Sequence, residues 1–130
     1  MTPLQKILKT VLTVENDKDF RAMLVEIIGS LGYNAIEAKD AREGIGILQK
    51  QTVDLMLLDI HMPGPRGTIL LKYLRDKGHQ IPVIVISGYL QKEVFEEIRE
   101  RNVQAVLTKP ISVKRLTDEI HKVFGEGEAA

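Results

Sequence analysis

Residues 54–67 read DLMLLDIHMPGPRG, and this stretch decides the fold. Leu55–Leu58 is apolar at every position rather than at every second one. A run of that kind, short and bounded by polar residues, suits a strand covered on both faces, as in the interior of a parallel sheet. The run stops at Asp59. Met62-Pro63-Gly64-Pro65-Arg66-Gly67 follows, a loop by composition that turns the chain sharply at Pro63-Gly64.

Upstream, Val11–Val14 is another compact β-rich run. After it Phe20, Met23, Leu24, Ile27, Ile28 and Leu31 recur at helical spacing, and Gly32 stands where a left-handed cap is wanted. Asn34–Ala38 reads as a short strand. Asp40 opens a second helix, with Glu43 placed as in a capping box. Downstream, a helix from about Thr68 to Lys77 stops at Gly78, and Pro82 introduces the strand Val83–Ile86, which ends at Ser87-Gly88. A helix over about Gln91–Arg101 carries Val94 and Ile98, with the preceding Leu90, on one face. Val103–Leu107 is a fifth strand, and Ser112 caps a last helix with Leu116, Ile120 and Val123 inward. Five strands alternating with five helices predict a flavodoxin-like, doubly wound α/β fold, a five-stranded parallel sheet of order 2-1-3-4-5. The expected domain spans residues 1–125, and 126–130 read as a flexible tail, a linker stub or a cloning remnant.

The bulk numbers fit that reading. The 130 residues suffice for one domain with a real core, 44% are hydrophobic and 28% charged, and the 18 basic and 18 acidic side chains balance. That balance gives no footprint for direct nucleic-acid binding or for a membrane surface. Without cysteine there is no disulfide, thiolate nucleophile or Cys-based zinc site. No segment is apolar for long enough to span a bilayer, and a soluble, cytoplasmic chain is expected.

The residues that follow each strand carry the functional signal. In parallel α/β sheets, ligands bind beyond the carboxyl ends of the strands, at the switch point of strand order. Here the first strand ends in Glu15-Asn16-Asp17, the third in Asp59, the fourth in Ser87, and the fifth leads to Lys109. The order 2-1-3-4-5 makes these four strands neighbours, so the residues gather on one edge. Carboxylate and amide oxygens suit Mg²⁺; a hydroxyl and an ammonium suit phosphoryl oxygens.

The blocks VLTVENDKDFR (11–21), DLMLLDIHMPGPRG (54–67), PVIVISG (82–88) and LTKP (107–110) together resemble the receiver domains of bacterial two-component response regulators, of the chemotaxis-regulator type. The resemblance covers about Lys6 to Phe124. It implies that Asp59 is the phosphoacceptor, taking a phosphoryl group from a sensor histidine kinase, a histidine phosphotransfer protein or a small phosphodonor. It implies that Mg²⁺ is held by Glu15, Asn16, Asp59 and the backbone carbonyl of His61. Ser87 and Lys109 would bind the phosphoryl group, Ser87 and Val106 would couple the site to a partner-binding surface, and the Lys109–Pro110 peptide would be cis. Such a protein is a switch that catalyses its own phosphorylation and dephosphorylation rather than a turnover enzyme.

The chain departs from the family's pattern at three points. Asn16 replaces an acid and removes one negative charge from the metal site. Val106 stands where the family carries an aromatic ring that swings inward. Ser87-Gly88 replaces the commoner Thr-Ala. Asn16 and Val106 motivate an alternative, a degenerate receiver serving as a phosphorylation-independent interaction module. A flavin or nucleotide binder would need a phosphate-cradling loop after the first strand, where Glu15-Asn16-Asp17 stands instead. An aspartate-based phosphatase would need its nucleophile there. His61 is expected at the rim, His79 and His121 at the surface, and Asp17 facing away from the site. The last helix, VKRLTDEIHKVF, lacks the charge pattern of the winged-helix regulators' dimers, so dimerisation is left open. Cognate kinase, output and full chain length are not written in these residues.

Overall fold

The apolar runs pair side by side because each needs both faces covered, and the helices between them supply that cover. The computed structural model describes residues 8–62 and 66–125; the Pro63-Gly64-Pro65 turn and the 126–130 tail lie outside them. Within them the elements alternate as β1 (Thr10–Val14), α1 (Lys18–Ser30), β2 (Asn34–Ala38), α2 (Ala41–Lys50), β3 (Leu55–Asp59), α3 (Gly67–Asp76), β4 (Val83–Ser87), α4 (Lys92–Glu100), β5 (Ala105–Thr108) and α5 (Val113–Phe124). All pairings are parallel and the order is β2-β1-β3-β4-β5, the expected arrangement.

Alternation along the strands divides the interior in two. Leu12, Val14, Met56, Leu58, Val83 and Val85 face a layer carrying Leu70, Leu71 and Leu74 of α3 and Ile98 of α4. Val11, Leu55, Leu57, Ile84, Ile86 and Leu107 face Leu24 and Ile28 of α1 and Leu116 and Ile120 of α5. Each fully buried leucine or isoleucine contributes about 1.5–3 kcal/mol, so the two layers carry most of the fold's stability.

Helix ends follow their chemistry. Gly32, at φ 91°, closes α1 with paired bonds, Gly32 N–H to the Gly29 carbonyl (3.0 Å) and Tyr33 N–H to the Ile28 carbonyl (3.2 Å). At α2 the Asp40 carboxylate accepts from Glu43 N–H at 2.9 Å, but the return arm differs from a capping box: Glu43 accepts from Lys39 N–H, one residue outside the cap. The fifth strand starts at Ala105 rather than Val103 because Asn102 is left-handed (φ 61°) and Gln104 N–H first bonds the Val83 carbonyl at 2.8 Å.

Gly67 opens α3 against the end of β3. Its N–H donates to the Ile60 carbonyl at 3.1 Å, and a Cβ here would lie 2.4 Å from the Asp59 carbonyl oxygen. Only glycine allows this approach, which brings the helix start directly beside Asp59.

Candidate functional site

Asp59 is the last residue of β3, flanked by β1 and β4, so its side chain leaves the sheet between the ends of three strands. The Asp59 carboxylate accepts from His61 N–H through Oδ1 at 3.0 Å and faces the Lys109 ammonium through Oδ2 at 3.5 Å. Glu15, one residue past β1, reaches the same ammonium through Oε1 at 3.1 Å. The two carboxylate side chains are only 4% and 2% exposed, and that of Lys109 is 27% exposed. Two buried anions thus share one cation that retains access to solvent.

Glu15 is held on several sides. Its Oε2 accepts from Asp17 N–H at 3.0 Å, its backbone N–H donates to the Ala38 carbonyl at 3.0 Å, and its carbonyl accepts from Arg21 Nη1 at 2.8 Å. Its Oε1 is buried and makes no well-directed hydrogen bond, only the ion pair. Burial raises the Glu15 pKa above the ordinary 4.5, and Asp59 adds to the rise, while the Asp17 N–H and Lys109 oppose it. Lys109 is placed by its own N–H, which donates to the Ser87 carbonyl at 2.8 Å, and by the ring of Phe20, whose centroid lies 4.5 Å from Nζ. The Lys109–Pro110 peptide is cis.

Ser87 ends β4 and is fully buried. By alternation it continues the Val83 and Val85 row, toward α3 and α4, and its hydroxyl donates to the Tyr89 carbonyl at 3.4 Å. The exposed His61 ring bonds the same carbonyl through Nε2, which therefore carries the proton. His61, Met62, Arg66, Tyr89, Gln91 and Val94 line an open cavity of about 340 Å³ beside these groups. Val106 pairs in register with Val85 and packs in the layer with Leu90 and Val94.

Of the site residues expected from sequence, Glu15, Asp59 and Lys109 meet directly. Ser87 lies at the same edge, joined to His61 through Tyr89. Asn16 is exposed. Asp17 is not idle: it caps α1, accepting from Asp19 and Phe20 N–H at 3.0 Å each. The helical spacing of Phe20 marks it only as an ordinary core position of α1 and carries no sign of its contact with Lys109.

A profile of the response regulator receiver domain matches residues 11–121. The chain belongs to the response-regulator receiver family. Among similar receivers is the polar-differentiation response regulator DivK of Brucella anthropi, 30% identical over 120 residues, covering 91% of this chain and 98% of that protein. A response regulator receiver protein from Pseudomonas putida superposes with a TM-score of 0.87 at 26% identity, over 90% of this chain and 98% of its own. A CheY-like receiver domain protein from Methanospirillum hungatei gives a TM-score of 0.86 at 26% identity, over 92% and 96%. Receiver domains of two-component signalling interact with histidine kinases and with effectors. Among the described residues no helix is long and apolar enough to cross a membrane.

The donor set suits Mg²⁺. Two buried carboxylates converge on one cation, and one carboxylate oxygen, Glu15 Oε1, accepts no directed hydrogen bond. No trio of His, Cys, Asp or Glu is clustered to hold a metal among the described residues. A metal here would complete its shell with neutral oxygens and water, as Mg²⁺ commonly does.

Proposed function

We propose that this receiver takes a phosphoryl group onto Asp59 from a phosphohistidine on a partner kinase or phosphotransfer protein, or from a small phosphodonor. One observation supports it above the rest: the Asp59 carboxylate is buried at a strand end beside an ammonium already shared with a second carboxylate. An Asp59 oxygen attacks phosphorus, and the bond from phosphorus to the donor's nitrogen or oxygen breaks. The electron pair leaves with the imidazole or the carboxylate. Negative charge then accumulates on the phosphoryl oxygens, and positioning and charge stabilisation are nearly all that the protein must supply.

Lys109 is already within reach and needs only to exchange one anionic partner for another. The Ser87 hydroxyl gives up a 3.4 Å bond to turn toward the phosphoryl group, a small loss, and the Tyr89 carbonyl it leaves stays bonded to His61. Glu15, Asn16, Asp59 and the His61 carbonyl would hold Mg²⁺, which when bound neutralises charge at the phosphoryl oxygens. Val106, which packs on the same core layer as Leu90 and Val94, would provide a route from the site to α4 without a ring to swing. The proposed receiver unit spans residues 1–125, acts in the cytoplasm and binds no nucleic acid itself.

With Mg²⁺ and acetyl phosphate, wild type is expected to gain the mass of one phosphoryl group and Asp59→Asn none. No gain in wild type at saturating Mg²⁺ would leave the phosphorylation-independent interaction module as the reading. Restoring the acid in Asn16→Asp is expected to tighten Mg²⁺ binding; unchanged affinity would remove Asn16 from the ligand set.

A further inference from the structure

Around Lys109 the contacts close into a circuit. Glu15 Oε2 accepts from Asp17 N–H, and Asp17 Oδ1 accepts from Phe20 N–H, each at 3.0 Å. The Phe20 ring faces the Lys109 ammonium at 4.5 Å from its centroid, and that ammonium returns to Glu15 Oε1 at 3.1 Å. Every member lies on the α1 and α5 side of the sheet. The Asp17 cap therefore does more than start a helix, because it fixes the backbone from which the ring projects.

We propose that Phe20 is a positioning residue for phosphoryl transfer, its ring face holding the Lys109 ammonium between Glu15 and Asp59. The proposal rests on the phosphoacceptor reading of the site. The ammonium has two carboxylates on one side and needs something on the other. Water there would compete for its N–H groups and draw it outward. An aliphatic side chain would strip solvent without attracting the charge. An aromatic face attracts a cation through its quadrupole yet leaves the N–H groups free to exchange a carboxylate oxygen for a phosphoryl oxygen. The half-buried ring also packs on the α1 and α5 core, which keeps it in place.

The test compares wild type, Phe20→Leu and Phe20→Tyr in acetyl phosphate reactions with Mg²⁺, alone and in a Lys109→Met background. Phe20→Leu is expected to lower the phosphorylation rate constant by about two- to fivefold, the factor a partly exposed cation–π contact carries. The half-saturating phosphodonor concentration should hold, Phe20→Tyr should restore the rate, and Phe20→Leu should add nothing once Lys109 is gone. Wild-type speed in Phe20→Leu, or an equal loss in the Lys109→Met background, would overturn the proposal. A fluorinated phenylalanine at position 20, which drains the ring face and keeps its shape, replaces Phe20→Leu if that variant does not fold.

A second readout does not need phosphorylation. The Lys109 ε-methylene protons should be shifted upfield by the ring in wild type and return to ordinary lysine values in Phe20→Leu. Unshifted protons in wild type would overturn the positioning role. A wild type that shows the shift but accepts no phosphoryl group would instead count against the phosphoacceptor reading alone.

Discussion

The two sides of the sheet's carboxyl edge are built differently. Toward α1 and α5, Glu15, Asp59, Lys109, Asp17 and Phe20 hold one another in a closed set of charged and backbone contacts. Toward α3 and α4, Ser87 and His61 meet only through the carbonyl of Tyr89, itself exposed. The first side fixes charges where the proposed phosphoryl transfer would need them. The second is tethered by two replaceable hydrogen bonds, which suits a part that moves when the first changes charge.

The largest expected effect breaks the seam between the sides. Gly67→Ala drives a Cβ to 2.4 Å from the Asp59 carbonyl oxygen and 2.8 Å from the Ile60 Cα, both backbone atoms that yield little. A loss of about 2–3 kcal/mol is expected in denaturant unfolding; a loss below about 0.5 kcal/mol would mean the seam is soft. Next comes Lys109→Met, which strands two buried carboxylates and should cost about 1–3 kcal/mol at neutral pH. Asp17→Ala removes the α1 cap and should cost about 1 kcal/mol. Because it shares the circuit with Lys109, the double variant should depart from additivity. His61→Ala, on the looser side, should cost about 0.5–1 kcal/mol and add simply to Lys109→Met.

The last prediction concerns pH. Folding raises the Glu15 pKa, chiefly by burial. A carboxyl raised in this way favours the folded state while protonated. Its contribution is complete below the ordinary value of 4.5 and disappears as pH rises through the raised value. Metal-free wild type should therefore lose stability relative to Glu15→Gln over that interval in a series of thermal melts. Parallel curves would show that Glu15 titrates normally.

Much of this was legible in the residues. Leu55–Leu58 and Val83–Ile86 read as doubly covered strands and are buried throughout, and the residues that follow the strands include Glu15, Asp59 and Lys109, which the structure brings together. Positions set by side-chain reach were not legible. Asp17 faces away from the site as expected, but its use as the α1 cap was not legible, because an acid three residues past a strand can serve either use. Phe20 has the spacing of a core residue and is one, so nothing in its periodicity shows that its face meets a lysine 89 positions away. The joining of His61 to Tyr89 depends on how two loops approach each other, which neither loop's composition encodes.

The most direct test of the account is amide NMR of the Mg²⁺-loaded receiver titrated with beryllofluoride, a mimic of the phosphoryl group. Saturable shifts are expected at Asp59 and Lys109, larger ones through Ser87, Tyr89 and α4 than through α1, and none in Asp59→Asn. A spectrum unchanged in wild type, or the same shifts in Asp59→Asn, would contradict it.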